Sequence, residues 1–194
     1  MNKIKQSILV SIIIGAGLSF SACGGGSGSG VEYVAYDAPA ISDSQKKEFL
    51  DAVNEARAVG RECGKYGYMP AVPKLKWDDR LYRAAYEHSE DMAMSNMYTA
   101  HDGTGTENDW TAQVLNLGRG STVEERAKNN GLINMGENVA GSSFTTQEIM
   151  DRWLASDGHC SNIMDTRYTI FGMAYVEKDN SQWIRYWTQT FYWN

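Results

Sequence analysis

The C-terminal part of the chain constrains the fold most, because its hydrophobic pattern has a different period from everything before it. Residues 170–176 alternate with a period of two, and residues 182–193 are dense in aromatic side chains and threonine. The turn-forming residues 178–181 separate the two runs, which predicts an antiparallel hairpin. The earlier segments have helical periodicity without regular strand–helix alternation. Helices first and a hairpin last predict the α+β class.

Three predicted helices begin at a serine or threonine. Ser42, Thr122 and Thr145 are each followed three residues later by Gln or Glu, which is the pattern of a capping box. A further helix is predicted over about 78–97, where two aspartates at the start favour the positive end of the helix dipole. Residues 99–120 are rich in Gly, Thr and Asn, and predict a loop.

Length and composition narrow the class of protein. The 194 residues suit one domain, and 42% hydrophobic with 22% charged residues is typical of soluble globular proteins. A collagen-like, disordered or polytopic membrane protein is thereby excluded. The net charge of −6 argues against a nucleic-acid partner, since nucleic-acid binding requires a basic surface.

The first 22 residues are predicted to be a signal peptide. Lys3 and Lys5 precede the apolar run 8–20, which is shorter than the roughly 20 residues of a membrane-spanning helix. The run ends in Phe-Ser-Ala-Cys at 20–23, which resembles a bacterial lipobox. An ordinary secretory signal that happens to contain a cysteine is the alternative.

The lipobox predicts where the protein resides. Cys23 would become the acylated N-terminus, residues 23–41 a Gly/Ser-rich tether and tail, and residues 42–194 the folded domain. We therefore expect an extracytoplasmic lipoprotein of the bacterial cell envelope, attached to a membrane through the lipid on Cys23.

The chain has three cysteines. With Cys23 acylated, Cys63 and Cys160 remain in an oxidising compartment, where two thiols most simply pair. Neither lies in a Cys-x-x-Cys motif, so a redox or metal role has little support. A Cys63–Cys160 disulfide is the prediction, and two unpaired buried thiols are the alternative.

The histidines and one glutamate are the main candidates for chemistry. His88 falls on the apolar stripe of the second predicted helix, which favours a hydrogen-bonded core residue. His101 lies in a polar loop where nothing structural requires an imidazole. His159 follows a predicted helix end, where a cation suits the negative end of the dipole, so capping competes with a functional role. Glu137 stands just inside an apolar step, an unusual place for a solvated carboxylate.

These residues permit three kinds of site. His101, His159 and Glu137 form a known ligand set for zinc, although no His-Glu-x-x-His spacing fixes them on one helix. Ser156 with a histidine and Glu137 could act as nucleophile, base and orienting acid, but no nucleophile-elbow pattern supports this. The same groups could also line a cleft that binds a ligand without transforming it. Periodicity alone does not choose among the three.

Short motifs follow one another along the chain, at residues 53–57, 75–78, 84–93, 101, 136–138, 153–164 and 186–191. In this order they resemble the CAP superfamily, named for cysteine-rich secretory proteins, antigen 5 and pathogenesis-related proteins and also called the SCP domain. The resemblance covers about residues 46–193 and is to the compact bacterial branch.

The resemblance implies a three-layer α-β-α sandwich with a central antiparallel sheet and a cleft that carries histidines and acids. His101 and Glu137 match one histidine and one acid of the tetrad found in animal and plant members. Ser156 and Tyr186 stand where that branch has its other acid and histidine, so His159 is expected to supply the second imidazole. Cysteines also occur at the equivalents of 63 and 160 in a subset of bacterial members, which favours their pairing.

The resemblance implies several functions rather than one, because activity belongs to sites built on a fold. We expect a non-enzymatic binding module whose cleft holds a small hydrophobic, peptide or glycan ligand, with a divalent cation such as zinc as an optional cofactor. The expected cleft residues are His101, Glu137, Ser156, His159 and Tyr186, with His101, Glu137 and His159 as the metal ligands. A metal- or serine-dependent hydrolase acting on peptides or cell wall is the alternative, and a surface adhesion or scaffold protein is the third.

Overall fold

The computed structural model of the chain describes residues 32–142 and 145–193. The predicted signal peptide 1–22, the lipidation site Cys23 and the glycine-rich part of the tether lie outside these residues. The helices are α1 (Asp43–Arg57), α2 (Asp79–Ser95), α3 (Trp110–Val114), α4 (Val123–Asn129), α5 (Thr146–Leu154) and α6 (Asp157–Ile163). The strands are β1 (Arg61–Glu62), β2 (Tyr68–Met69), β3 (Lys76–Trp77), β4 (Gly136–Ser142), β5 (Ile170–Glu177) and β6 (Arg185–Tyr192). None of the helices in the described ranges is both long and apolar enough to cross a bilayer.

The predicted helix starts are confirmed at their caps. The hydroxyl of Ser42 accepts a hydrogen bond from the backbone N–H of Gln45. Thr122 and Thr145 form complete capping boxes with Glu125 and Glu148. Each box satisfies two N–H groups that a helix otherwise leaves without a partner, so these short helices begin at defined residues.

Two segments differ from the predictions. The predicted loop 99–120 contains the five-residue helix α3, in which the N–H of Ala112 donates to the capping carboxylate of Asp109. A second helix, α6, begins directly after α5, so His159 lies in the first turn of α6 and not beyond a helix end. This placement does not favour capping, one of the two alternatives for His159, because a cation in a first turn faces the positive end of the dipole.

The four-stranded sheet has the order β3-β5-β6-β4. The predicted hairpin is confirmed as β5 and β6, which pair antiparallel over their full length. Strand β4 pairs antiparallel with β6 and forms one edge. Its sequence, Gly-Glu-Asn-Val-Ala-Gly-Ser, lacks the alternation that predicts a strand. The two-residue strand β3 pairs parallel with β5, and is the exception to the predicted antiparallel sheet.

Helices cover both faces of this sheet, which confirms the three-layer arrangement. On one face lies α2, close enough to β5 that a Cβ on Gly172 would stand 2.3 Å from the backbone nitrogen of Tyr82. On the other face, α1, α5 and α6 pack around the rings of Phe49, Trp153 and Trp187, all of them buried. Strand β4 therefore lies between α2 on one face of the sheet and the helices α5 and α6 on the other.

The predicted disulfide is confirmed. Cys63 and Cys160 are bonded across 97 residues of sequence, with their Cα atoms 5.4 Å apart, and both are buried. The bond ties the segment after α1 to α6, the helix that carries His159. Closing a loop of this length removes conformational freedom from the unfolded chain.

Residues 32–41 form an extended strap that packs on the domain. The ring of Tyr36 stacks on Tyr86 of α2, and its hydroxyl donates a hydrogen bond to Glu90. The hydroxyl of Tyr82 donates to the carbonyl of Pro39 at 2.9 Å. The indole of Trp110 donates to the carbonyl of Val34 at 3.1 Å. The second half of the predicted tether and tail thus belongs to the folded unit.

Candidate functional site

The predicted pair of His101 and Glu137 is brought together by a turn and a strand. Nδ1 of His101 lies 3.1 Å from Oε1 of Glu137, near the start of β4. The preceding Ala100 has φ of +55°, a left-handed conformation that turns the loop back towards the sheet. An ionised carboxylate only accepts hydrogen bonds, so Nδ1 carries the proton and Nε2 is left for other partners.

Arg126 of α4 holds this pair in place. Its Nη2 lies 3.0 and 3.2 Å from the two carboxylate oxygens of Glu137, and donates to the carbonyl of His101 at 2.8 Å. Both side chains are about 1% exposed. Burial raises the pKa of Glu137, but the charge of Arg126 and the hydrogen bond from His101 outweigh it and lower the pKa to about 2. Glu137 is therefore a permanent, paired anion.

Two further buried side chains, both on α2, form hydrogen bonds that support the site. Nε2 of His88 donates to the carbonyl of Ala100 at 2.6 Å, and burial lowers its pKa to about 4. The prediction that His88 is a hydrogen-bonded core residue is confirmed. Glu87 accepts from the backbone N–H of Thr111 at 3.0 Å, and burial raises its pKa to about 7. A buried network of ionisable groups thus fixes the loop that carries His101.

A cleft of about 420 Å³ lies along the outer edge of β4. Its floor is the strand edge, where the carbonyl of Val139 accepts hydrogen bonds from the hydroxyl of Tyr98 and the indole N–H of Trp153. Aromatic and polar side chains form the walls, and no Asp or Glu is among the described lining residues. These are Tyr98, Val139, Ala140, Gly141, Arg152, Trp153, Ala155, Ser156, His159 and Trp183.

Of the residues predicted for the cleft, Ser156 and His159 line it, whereas His101 and Glu137 are not among its described lining residues. Burial lowers the pKa of His159, and the positive charge of His101 lowers it further, so the two imidazoles lie within electrostatic reach. The pKa of His101 is raised, mainly by its hydrogen bond to Glu137. Ser156 precedes α6 without a side-chain capping bond, and in the described part of the chain its hydroxyl makes no hydrogen bond to a histidine.

Tyr186 does not line the cleft, and this placement corrects the prediction. Its side chain is fully buried against α2, among Met92, Val139 and Val176. Its hydroxyl donates to Oδ1 of Asn96 at 3.2 Å. Successive residues of a strand face opposite sides of the sheet, and residue 186 falls on the α2 side, away from the opening.

The proposed metal ligands do not form a metal-binding arrangement. In the described ranges no group of three His, Cys, Asp or Glu residues is placed to hold an ion. Both oxygens of Glu137 already accept hydrogen bonds from Arg126, and a divalent cation there would stand beside a buried guanidinium. The residues as placed therefore do not fit a metal, and zinc binding through them stays a prediction to be measured.

Sequence reasoning missed several residues of the site. Arg126 follows the capping box of α4 and precedes Ala127, so it lies on the inward face, a signal that could have suggested a partner for Glu137. Tyr98 lies in a segment without periodicity, where no pattern distinguishes a cleft wall from an exposed ring. Trp183 falls in the run 182–193 predicted as a strand, whereas β6 begins only at Arg185.

The α-β-α sandwich with the strand order β3-β5-β6-β4, and the His–Glu pair beside a cleft at its edge strand, together characterise one class of domain. The family model described as CAP, the cysteine-rich secretory protein family, matches residues 50–191. The chain therefore belongs to this family.

Curated relatives come from Bacillus subtilis (strain 168). The protein YkwD is 27% identical over 154 residues, covering 79% of this chain and 49% of its own length. The membrane protein YlbC is 27% identical over 151 residues, covering 78% of this chain and 35% of its own length. The chain thus spans half or less of the length of these relatives, and their additional regions have no counterpart in the alignment.

Solved structures show the same fold at low identity. An extracellular SCP-domain protein from Bacillus anthracis str. Ames aligns with a TM-score of 0.54 and 22% identity, over 81% of this chain and 45% of its own. An outer surface protein from Borrelia burgdorferi aligns with a TM-score of 0.55 and 16% identity, over 78% of this chain and 94% of its own.

Proposed function

We propose that this protein is a lipid-anchored, extracytoplasmic binding module whose edge-strand cleft holds a ligand without transforming it. The similar structures are of an extracellular protein and of an outer surface protein, which supports a location outside the cytoplasm. The lipobox at residues 20–23 supports attachment through Cys23.

The observation that carries this proposal is the cleft itself. It has the size and mixed aromatic and polar lining of a small-ligand site. The adjoining His101 is held by Glu137, and Arg126 donates to both the carbonyl of His101 and the carboxylate of Glu137, so the rim is organised before a ligand arrives. No nucleophile–base hydrogen bond joins Ser156 to a histidine in the described residues, which favours binding over acyl transfer.

One observation favours a hydrolase as the second candidate. His101 and His159 have pKa values shifted in opposite directions, as in sites where one group gives a proton and another takes it. A water molecule between the two imidazoles would then attack a bound peptide or glycan. A surface adhesion or scaffold protein, the third candidate, would not depend on the cleft.

The test is a binding and turnover screen on the purified protein. Fatty acids, muropeptides and mixed peptides are titrated while backbone amides of β4 are followed by ¹⁵N–¹H NMR. We expect one class to shift the amides of residues 139–141, and His159→Ala and Trp183→Ala to weaken that binding. Ser161→Ala and Tyr68→Ala, at sites outside the cleft lining, are the matched controls.

The same samples are assayed for hydrolysis, with and without chelator or serine-directed reagent. Turnover lost in His101→Ala or His159→Ala would replace the binding module with the hydrolase. If no class shifts the β4 amides and none is turned over, both cleft functions fail and the scaffold remains.

A further inference from the structure

The free edge of β4 faces the cleft. Strand β4 pairs antiparallel with β6, so alternate residues direct both N–H and C=O to the same side: one of the sets 137/139/141 and 138/140/142 faces β6 and the other faces outward. The outward set is identified by its partners. The carbonyl of Glu137 accepts from Asn162 at 3.0 Å, and that of Val139 accepts from Tyr98 and Trp153. Residues 137, 139 and 141 therefore point outward.

Side chains close one end of this edge and leave the other open. The bonds to the carbonyls of Glu137 and Val139 block further strand pairing towards the start of β4. In the described residues, no side-chain hydrogen bond reaches the outward N–H of Val139 or the N–H and C=O of Gly141. Gly141 is partly exposed on the cleft floor. Unpaired strand groups of this kind are a template for an added strand.

Aromatic rings border the open part of the edge on both sides. Trp183 lies directly against Gly141, so that a Cβ there would stand 2.5 Å from the indole ring. Tyr98 lies on the same side, and Trp153 lies on the other. An extended peptide directs successive side chains to opposite sides, which suits a groove with two apolar walls.

The groups that line the cleft indicate which end of a peptide reaches the closed end. The carbonyl of His159 accepts from Nδ2 of Asn138, which places His159 beside that end. The described cleft lining has basic residues and no carboxylate, although the chain carries a net charge of −6. A peptide paired antiparallel with β4 would run from Gly141 towards Val139, and would bring its C-terminus to this end.

We infer that the cleft binds the C-terminus of an extended peptide, which adds antiparallel to the edge of β4. The antepenultimate residue exchanges two hydrogen bonds with Gly141. The terminal carboxylate accepts from the N–H of Val139 and lies beside His159. This inference rests on the proposed binding function and names its ligand class.

The probe is a set of N-acetylated hexapeptide libraries added to the purified protein. One ends in a free carboxylate and the other in a carboxamide. We expect the free-acid library to shift the amide resonances of Val139 and Gly141. The carboxamide should bind about tenfold or more weakly, because a charge-assisted bond is lost.

N-methylation distinguishes backbone pairing from side-chain contact, using the tightest free acid recovered. Methylating the antepenultimate nitrogen removes the donor to the carbonyl of Gly141, and should weaken binding about tenfold. Methylating the penultimate nitrogen, which faces away from β4, is the matched control and should leave affinity within about twofold.

Equal binding of acid and amide, or equal effects of both methylations, would overturn the inference. Muropeptides or fatty acids that shift residues 139–141 while both peptide libraries leave them unmoved would also overturn it, with the binding module intact. If no probe of any class moves these resonances, the proposed function fails as well. The β4 edge could instead pair with a second copy of this chain. Concentration-dependent dimerisation without peptide binding would show such pairing and overturn the inference.

Discussion

The two faces of the central sheet are built on different principles. The face towards α1, α5 and α6 is aromatic, with Phe49, Trp187 and Phe191 fully buried and in ring contact with neighbours. The face towards α2 combines apolar contacts, such as those of Tyr186 and Val176 with Met92, with polar ones, such as the hydrogen bond from Ser89 to the hydroxyl of Thr188 at 2.9 Å. Next to it lies the buried charge network around the Arg126–Glu137 pair.

The two kinds of contact have different effects: apolar packing mainly stabilises the fold, and the charge network mainly fixes the position of one loop. Apolar packing stabilises the fold wherever side chains fill the available volume, so a cavity on the aromatic face would be destabilising. Such packing does not require a particular hydrogen-bond geometry. Buried charges gain little net free energy, but each must find its partner, so they hold one loop in one place. The candidate site lies at the edge where the two faces meet, with Trp153 from one and Tyr98 from the other.

The largest effect is expected from removing the cation of the buried charge network. Arg126→Met leaves Glu137 buried without its main counter-charge, and also frees the carbonyl of His101. We expect a loss of about 5 kcal/mol in the free energy of unfolding. The double variant Arg126→Met/Glu137→Met removes both charges, and should recover more than half of that loss in urea titrations. Equal losses in the single and double variants would contradict the pairing.

A somewhat smaller loss is expected on the aromatic face. Phe49→Ala removes a ring that is 1% exposed and contacts the rings of Tyr175 and Trp187. We expect a loss of about 4 kcal/mol from the cavity. The titration of His101, followed by its ring-proton NMR signals, should keep its raised pKa in this variant and lose it in Arg126→Met/Glu137→Met. A changed His101 titration in Phe49→Ala would show that the two faces are coupled.

The smallest of the three effects depends on pH. Burial raises the pKa of Glu87 from 4.5 to about 7, so between these pH values the folded state keeps a proton that the unfolded state releases. Stability from this group therefore falls as pH rises through that window. Glu87→Gln does not titrate, and should be more stable than the parent by about 3 kcal/mol at about pH 8, with little difference at about pH 4.

Its control is Glu124→Gln, whose side chain is 63% exposed. The difference from the parent should stay within about 0.5 kcal/mol at both pH values. A pH-independent effect of Glu87→Gln in chemical unfolding would mean that Glu87 is ionised in the fold.

Local signals in the sequence were sufficient for much of the fold. Caps such as Thr145 and the alternation of β5 and β6 predict elements because the free energy involved is local to a few residues. Strand β4 could not be found in this way, since it is held by pairing with β6 and contains two glycines. Tertiary pairing overrides weak local preference in such a segment.

The residues of the candidate site also differ in how far the sequence could predict them. His101 and Glu137 could be related through the family motif, whereas Arg126 was missed, because hydropathy assigns arginine to the surface and only its place beside Ala127 on α4 indicates otherwise. Tyr186 was placed in the cleft by its motif position, yet strand alternation directs it to the core. His159 was judged from a helix end, and the start of α6 just before it was not apparent from the pattern.

The strap at residues 32–41 has a mechanical consequence. Its stacking on Tyr86 and its bonds from Tyr82 and Trp110 leave only residues 24–31 between the proposed lipid on Cys23 and the folded unit. A segment of about eight residues extends at most about 29 Å. A pull on the anchor would act first on the strap, whose contacts are with α2 and α3. If Cys23 carries the proposed lipid, the folded unit would therefore stay within about 29 Å of its membrane.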